Sequence, residues 1–253
     1  MHDYWATALQ ASGKLRADRD PADAIFTNAD LARNFDRIAF FTEADPASPT
    51  VSKGTSQPAP LNRWEEPIRY TLMGEAVTQG DVVAIEGLMA RVTALTGLPA
   101  LRDETDPNFL ISITTPEERD EGSRVLGRYN PDLQQTFDAW RRSPNWICGA
   151  WLGARRDSPN TLSVAFIFIG DEVSGISRLS CIEEEIIQSL GLRNDDPRVR
   201  PSIFNDDDEF ALLTNHDEYL LRILYDRRLR PGMRSAEARP IVQRIVEEIR
   251  PGG

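Results

Sequence analysis

Histidine and cysteine, which hold most transition metals in proteins, are scarce in this sequence. Of 253 residues, only two are histidines and two are cysteines, and no Cys-x-x-Cys pair is present. A zinc finger is therefore excluded. The cysteines, Cys148 and Cys181, are compatible with two buried free thiols or with one disulfide, and the residues alone leave both open.

Basic charge and long apolar runs are also lacking. Lys and Arg total 29 against 40 for Asp and Glu, which gives a formal net charge of −11. Nucleic acid and anionic membranes are therefore poor partners. The longest apolar run, residues 164–169, is far shorter than the roughly 20 residues of a membrane-spanning helix, so we expect no transmembrane segment.

The hydrophobic spacing predicts a single α+β domain. We expect strands at 67–73 and 109–114 and an antiparallel hairpin formed by 146–152 and 162–169. We expect a long helix at 81–95 and further helices at about 178–190, 215–226 and 236–249. We expect residues 1–60 to form an irregular N-terminal arm. Residues 61–253 are expected to form a twisted mixed sheet packed on helices.

One segment carries a functional pattern. Residues 181–195 read Cys-Ile-Glu-Glu-Glu-Ile-Ile-Gln-Ser-Leu-Gly-Leu-Arg-Asn-Asp, residues 202–204 read Ser-Ile-Phe, and a helix beginning near Leu213-Thr214 and ending near Leu224-Tyr225 follows. This order and spacing resemble the metzincin metalloproteases, and the matrixins in particular. Their H-E-x-x-H-x-L-G-L-x-H motif is likewise followed by a Ser-Ile-Met turn beneath the metal and by a closing helix.

The resemblance assigns a position to each residue of the motif. Glu184, Gln188 and Asn194 stand where the three histidine ligands would be, and Glu185 stands at the catalytic glutamate. Oxygen and amide groups bind zinc weakly beside three imidazoles, so we expect no zinc. Ser202, Ile203 and Phe204 form the expected turn beneath the degenerate site. The resemblance implies a zincin-like fold, in which the strand before the active-site helix is an edge strand that pairs with substrate.

A second resemblance covers more of the chain. Residues 34–40, residues 61–69 and the segment from Cys181 through Asp206 are similar to a proteobacterial family of unknown function, domain-of-unknown-function family 2927. Members look like exported envelope proteins and are often labelled lipoproteins. The resemblance implies a periplasmic or outer-envelope location, a leader missing from this sequence and an oxidising compartment, and it leaves open a lipid anchor on the precursor. We therefore expect a Cys148–Cys181 disulfide.

Two simpler interpretations stand beside these. Glu183, Glu184 and Glu185 are also the acids that a helix N-terminus favours, with Ser180 and Glu183 as a capping box. Residues 206–209, Asp-Asp-Asp-Glu, are an alternative calcium site, although they lack the spacing of an EF-hand loop and are better interpreted as a solvated acidic loop.

The leading functional hypothesis is a non-catalytic envelope protein whose former protease cleft binds a peptide or protein. The alternative is an active metal-dependent peptidase with Glu185 as general base and with Glu184, Gln188 and Asn194 or Asp195 holding an unusual metal. A third hypothesis is that the cleft is filled and the arm mediates assembly. We further expect residues 162–169 to be an edge strand. It would be covered by residues 45–60 of this chain, by a partner peptide or by a neighbouring strand of the same sheet, and Glu185 would face the groove beside it.

Overall fold

The computed structural model describes residues 8–42, 56–142, 147–205 and 209–252. In chain order its helices and strands are α1 Asn28–Ala39, β1 Phe41–Thr42, β2 Gln57–Pro58, β3 Arg63–Trp64, β4 Ile68–Met73, α2 Gln79–Thr96, β5 Ala100–Arg102, β6 Phe109–Thr114, α3 Pro116–Tyr129, α4 Pro131–Arg142, β7 Cys148–Arg155, β8 Ser158–Gly170, α5 Gly175–Gln188, α6 Asn215–Leu224 and α7 Ser235–Ile249. Within the described part of the chain, none of the helices has the length and apolar character needed to span a bilayer.

The main sheet is mixed. Strands β5, β4, β6 and β8 lie side by side in that order and are parallel, and β7 pairs antiparallel with β8. The short strand β3 pairs parallel with the start of β8. Strands β1 and β2 form a separate antiparallel pair. The chain therefore forms one α+β domain whose sheet is packed on helices, and the predicted hairpin is confirmed.

The prediction that residues 162–169 form an edge strand is wrong, and the alternative, coverage by a neighbouring strand of the same sheet, is confirmed. Strand β8 lies between β6, which pairs with residues 165–170, and β7, which pairs with residues 158–169. The reason is visible in its composition, because apolar side chains point to both faces: Ala165 and Ile167 to one, Phe166 and Phe168 to the other. A continuous apolar run of this kind is typical of an interior strand that is covered on both faces.

The main core lies on one face of this sheet, where strand residues meet the helices. Its largest fully buried side chains are Trp64, Phe35, Phe109, Phe204, Leu31, Ile38, Leu61, Ile68, Ile85 and Met89. A second, smaller cluster on the opposite face joins Phe137 of α4 to Phe168, with Trp151 and Phe166 packed beside them. The sheet therefore has a well-filled face and a more thinly covered one.

The expectation that residues 1–60 are irregular is wrong for residues 28–39, which form α1. Thr27 caps this helix by accepting from the backbone N–H of Asp30, while the Asp30 carboxylate accepts from the backbone of Thr27. Its Leu31, Phe35 and Ile38 side chains are fully buried. Thus α1 belongs to the core. The part of the expected arm at residues 43–55 lies outside the described residues.

Candidate functional site

Helix α5 carries the acidic residues of the motif, but not at its start. It begins at Gly175, with Ser174 at the N-cap, and has no acid in its first turn. The three glutamates therefore lie in its second half. The interpretation of Glu183, Glu184 and Glu185 as helix-start acids, with a capping box at Ser180, is wrong because the helix begins one and a half turns earlier.

Glu183 ties α5 to two other parts of the chain. Its carboxylate accepts from the Arg19 guanidinium at 2.6 Å and from the backbone N–H of Leu213 at 2.7 Å. Arg19 in turn donates to the Leu213 carbonyl oxygen at 2.9 Å. The Glu183 side chain is 11% exposed and that of Arg19 is 37% exposed, so this ion pair is a partly buried cross-link of the fold.

The two central carboxylates lie in different surroundings. Glu184, at the first ligand position, is half-buried, and Glu185, at the catalytic position, is 7% exposed. Each has an interaction partner within the protein. The expectation that Glu185 faces an open groove is therefore wrong, because so little of the side chain reaches solvent.

Gly191 turns the chain after α5, at the position that the motif reserves for glycine. Its φ of +122° is strained for any residue with a side chain, and a Cβ atom there would lie 2.1 Å from the carbonyl oxygen of Asn62. Tyr225 holds the residue before this glycine, because its hydroxyl donates to the Leu190 carbonyl oxygen at 3.0 Å. Burial raises the pKa of the Tyr225 hydroxyl, which favours this donor role.

The side chains at the second and third ligand positions are hydrogen-bonded within the chain. The Gln188 amide donates to the Asp195 carboxylate at 2.9 Å. The Asn194 amide donates to the carbonyl oxygen of Arg37 at the end of α1, at 2.9 Å, and its oxygen accepts from the Ser56 hydroxyl at 2.9 Å. Asn194 is 2% exposed. The Asn194 amide therefore caps the C-terminal end of α1.

The expected turn at Ser202, Ile203 and Phe204 is buried and is held by one carboxylate. Asp217 Oδ1 accepts from the Ser202 hydroxyl at 2.5 Å, and Oδ2 accepts from the Ile203 N–H at 3.1 Å. Oδ2 also accepts from the N–H and the hydroxyl of Thr214, each at 2.9 Å, which closes the capping box of α6. Helix α6 therefore holds the turn in place.

His216 belongs to the same buried network. Its Nδ1 lies 3.4 Å from Asp217 Oδ1, and its Nε2 lies 3.1 Å from the Asn34 amide nitrogen. Phe26 packs edge-on against the ring. Histidine, aspartate and asparagine side chains thus link α6 to α1, a connection that sequence reasoning missed because Asn34 and His216 are 182 residues apart.

The structure contains the predicted disulfide. Cys148, at the start of β7, is bonded to Cys181, with 5.9 Å between the α-carbons. Cys181 lies in the middle of α5, because this helix begins at Gly175 and not near residue 178 as expected. The bond holds β7 beside α5 one turn before Glu184 and Glu185.

The residues do not fit a zinc ion. Of the three ligand positions, one holds a carboxylate, and two hold amides that bond to their own chain. Among the described residues, no three His, Cys, Asp or Glu side chains are grouped so as to hold a metal. The alternative calcium segment lies outside them at residues 206–208, while Glu209 forms ion pairs with Arg16 and Arg200.

Comparison with known protein families identifies the family of this chain. Residues 28–244 match the model of a family described as Protein of unknown function (DUF2927). The chain belongs to this family. The match includes α1, every strand of the main sheet, α5, the 202–204 turn and α6. No curated protein and no solved structure matches the chain.

Proposed function

We propose that this DUF2927 protein is a non-catalytic envelope protein on a zincin-like, metzincin-type scaffold, and that it binds an extended peptide or protein segment. One observation carries the proposal. The amides of Gln188 and Asn194, at two of the three ligand positions, are hydrogen-bonded to Asp195 and to the end of α1. Side chains that hold the fold together in this way are not arranged to receive a metal.

The order of features along the chain supports the scaffold. Helix α5 ends just before a glycine with positive φ, Asn194 follows three residues later, and the buried 202–204 turn lies on the closing helix α6. Each feature is one that the protease motif requires for a physical reason: a shared helix face, a chain reversal and support beneath the site. A retained order of features with different side chains at the ligand positions is the pattern expected of a pseudoenzyme.

Strand β7 supports the binding role. It pairs with β8 on one side, and among the described residues no strand pairs with its other side. An unpaired strand edge presents backbone donors and acceptors that an extended segment can satisfy. Because the disulfide holds β7 next to α5, a segment added there would pass close to Glu184.

The proposed location in the cell envelope rests on the family resemblance and on the disulfide, which is typical of oxidising compartments. A lipid anchor on the precursor belongs to the same proposal. Expression of the full precursor, followed by fractionation and thiol counting, tests both. Recovery in the cytosol with two free thiols contradicts this part of the proposal.

The test of the central proposal is metal analysis of matched variants. Wild-type protein purified without added metal should contain well under one zinc per chain, and chelators should leave its Tm unchanged. The triple variant Glu184→His/Gln188→His/Asn194→His should bind about one zinc per chain if the backbone retains protease geometry. The single variant Glu184→His serves as the control and should bind none.

Two results would contradict the proposal. Stoichiometric zinc in the wild type would support the alternative, an active peptidase with Glu185 as general base, and peptide hydrolysis lost in Glu185→Gln would establish it. Failure of a correctly folded triple variant to bind zinc would contradict the proposed metzincin-type geometry.

Binding is tested separately by hydrogen exchange with peptides selected from a library. Bound peptides should slow exchange of the amides in β7 and leave those of β4 and β5 unchanged. Peptides that protect other regions only would overturn the β7 assignment.

A further inference from the structure

Arg193, which lies between the Gly191 turn and Asn194, is a half-buried cation without an anionic partner. Burial lowers the pKa of its guanidinium, although an arginine side chain stays protonated in proteins. No carboxylate of the described residues lies within ion-pair distance of it. The other arginines of the described chain that are not exposed pair with a carboxylate, as Arg178 does, or stack on an aromatic ring, as Arg250 does.

The acids that follow Arg193 along the chain bind other groups. Asp195 accepts from a side-chain amide of α5 at 2.9 Å, and Asp196 accepts from the Arg198 guanidinium at 2.5 Å. The Arg193 guanidinium donates instead to the side-chain oxygen of Asn62. This neutral acceptor does not balance the charge. Because a partly desolvated charge without a counter-ion is unfavourable, the arrangement indicates that a bound anion completes it.

Asn160 adds a neutral donor beside this cation. The Asn62 amide nitrogen donates to the Asn160 side-chain oxygen at 3.1 Å, so the two amides connect Arg193 to the first residues of β8. Asn160 Nδ2 then has no acceptor among the described residues. Gly232 lies against it, and a Cβ atom on Gly232 would crowd this nitrogen at 3.2 Å. The glycine therefore leaves the nitrogen open to a ligand.

Two further arginines flank this glycine. Arg230 and Arg234, two residues before and two residues after Gly232, are exposed, and neither forms an ion pair with a described residue. The Gly232 N–H donates to the Leu61 carbonyl oxygen at 2.8 Å, which holds this turn beside Asn62. Positive charge is thus concentrated at one place on a protein with a net charge of −11. Three guanidinium groups without carboxylates favour a doubly charged anion over a singly charged one.

We propose that Arg193, Asn160 and the turn at 230–234 bind a phosphate group, either free phosphate or the phosphate of a monoester. Nη1 of Arg193 is bonded to Asn62, which leaves Nε and Nη2 for two phosphate oxygens. Asn160 Nδ2 donates to a third oxygen, and Arg230 and Arg234 attract the anion from solvent. The site uses neither β7 nor the side chain at the first ligand position, so it fails or succeeds separately from the peptide-binding proposal.

The test is isothermal titration calorimetry with inorganic phosphate, methyl phosphate and acetate at constant ionic strength. The wild type should bind inorganic phosphate at least about tenfold more tightly than acetate, because the second charge adds to the attraction. Comparable binding of methyl phosphate would identify a monoester as the ligand. Binding of inorganic phosphate without methyl phosphate would identify the free ion.

Four variants locate the site. Arg193→Met should weaken phosphate binding at least about tenfold, as expected for loss of charged hydrogen bonds, and should not lower the Tm in phosphate-free buffer. Asn160→Asp, nearly the same in shape, should weaken binding by adding a negative charge. Arg230→Gln/Arg234→Gln should weaken it about twofold to fivefold, because both side chains are exposed. Arg244→Gln, exposed further along α7, is the control for net charge and should bind phosphate as the wild type does.

Three results would contradict the phosphate site. The first is no phosphate binding to the folded wild type at millimolar concentration. The second is equal affinity for acetate and phosphate, which would show that the second charge is not recognised. The third is unchanged phosphate affinity in Arg193→Met, or a clearly lowered Tm of this variant without phosphate, which would show that the guanidinium stabilises the fold through Asn62 and needs no anion.

Discussion

Asp217 shows how much of the candidate site is held by one residue. Its carboxylate is fully buried and joins the 202–204 turn to the first turn of α6 through bonds from Ser202, Ile203 and Thr214. A buried carboxylate is costly unless its oxygens are well satisfied, and here both are. The residue at the helix cap therefore also determines the position of the turn.

We expect Asp217→Ala to lower the free energy of unfolding by about 3 to 5 kcal/mol, because several buried donors lose their acceptor together. Urea unfolding followed by tryptophan fluorescence measures this. Asp157→Asn is the control: its side chain is 70% exposed, and the free energy of unfolding should not change measurably. Equal losses in the two variants would show that the Asp217 network contributes little.

Among the secondary-structure elements, α5 depends on the turn that follows it. Gly191 has positive φ and a backbone carbonyl directly against its α-carbon, whereas Gly97, which ends α2, has positive φ but open space around it. A substitution at Gly97 therefore measures the cost of backbone strain alone, whereas a substitution at Gly191 measures backbone strain together with a steric clash.

We expect Gly97→Ala to cost about 1 kcal/mol, the usual penalty for an alanine in the left-handed region. Gly191→Ala should cost at least about 3 kcal/mol, because the segment at Asn62 must also move. Denaturant midpoints of both variants measure the difference. A similar loss in both would mean that the approach of Asn62 to Gly191 is looser than in this structure.

The disulfide links β7 to α5 across a separation of 33 residues. In the chain-entropy model a loop of this length contributes roughly 3 to 4 kcal/mol. We expect reduction with dithiothreitol to lower the Tm of the wild type, and to leave unchanged the already lower Tm of Cys148→Ala/Cys181→Ala. Thiol titration of the oxidised, denatured protein should find no free thiols. Two free thiols would refute the pairing.

Regular hydrophobic spacing predicts most of these helices and strands. It does not predict features that depend on contacts between residues far apart in the sequence. The strand expected at 109–114 is β6, and the helix expected at 81–95 is α2 within two residues at its start and one at its end. Helix α1 was missed although its capping box, Thr27 with Asp30, is readable in the sequence. The place of β8 inside the sheet and the partners of Glu183 depend on residues far away in sequence, which no local pattern contains.

The folded unit includes residues that precede the family match. The match begins at residue 28, yet residues 15–24 run along the segment that leads to α6. The N–H of Arg16 donates to the Glu209 carbonyl at 2.8 Å, and the Arg16 carbonyl accepts from Ala211 at 2.9 Å. Leu15 and Ala24 are buried. The N-terminal segment thus forms part of the folded unit and reaches α5 through Arg19.

We expect Arg19→Ala to lower the free energy of unfolding by about 2 to 3 kcal/mol, because Glu183 keeps a buried charge without its partner, while the partial exposure of Arg19 moderates the loss. Removal of residues 1–27 should cost more, since the backbone bonds of Arg16 are lost as well. In Arg19→Met/Glu183→Met no charge is left buried, so this variant should recover part of the stability. Arg69→Ala is the control: Arg69 is 35% exposed, its acidic partner Asp106 is 83% exposed, and the change should cost under about 1 kcal/mol. Urea unfolding of the four variants tests this: if Arg19→Ala costs no more than Arg69→Ala, the N-terminal segment is not anchored through Glu183.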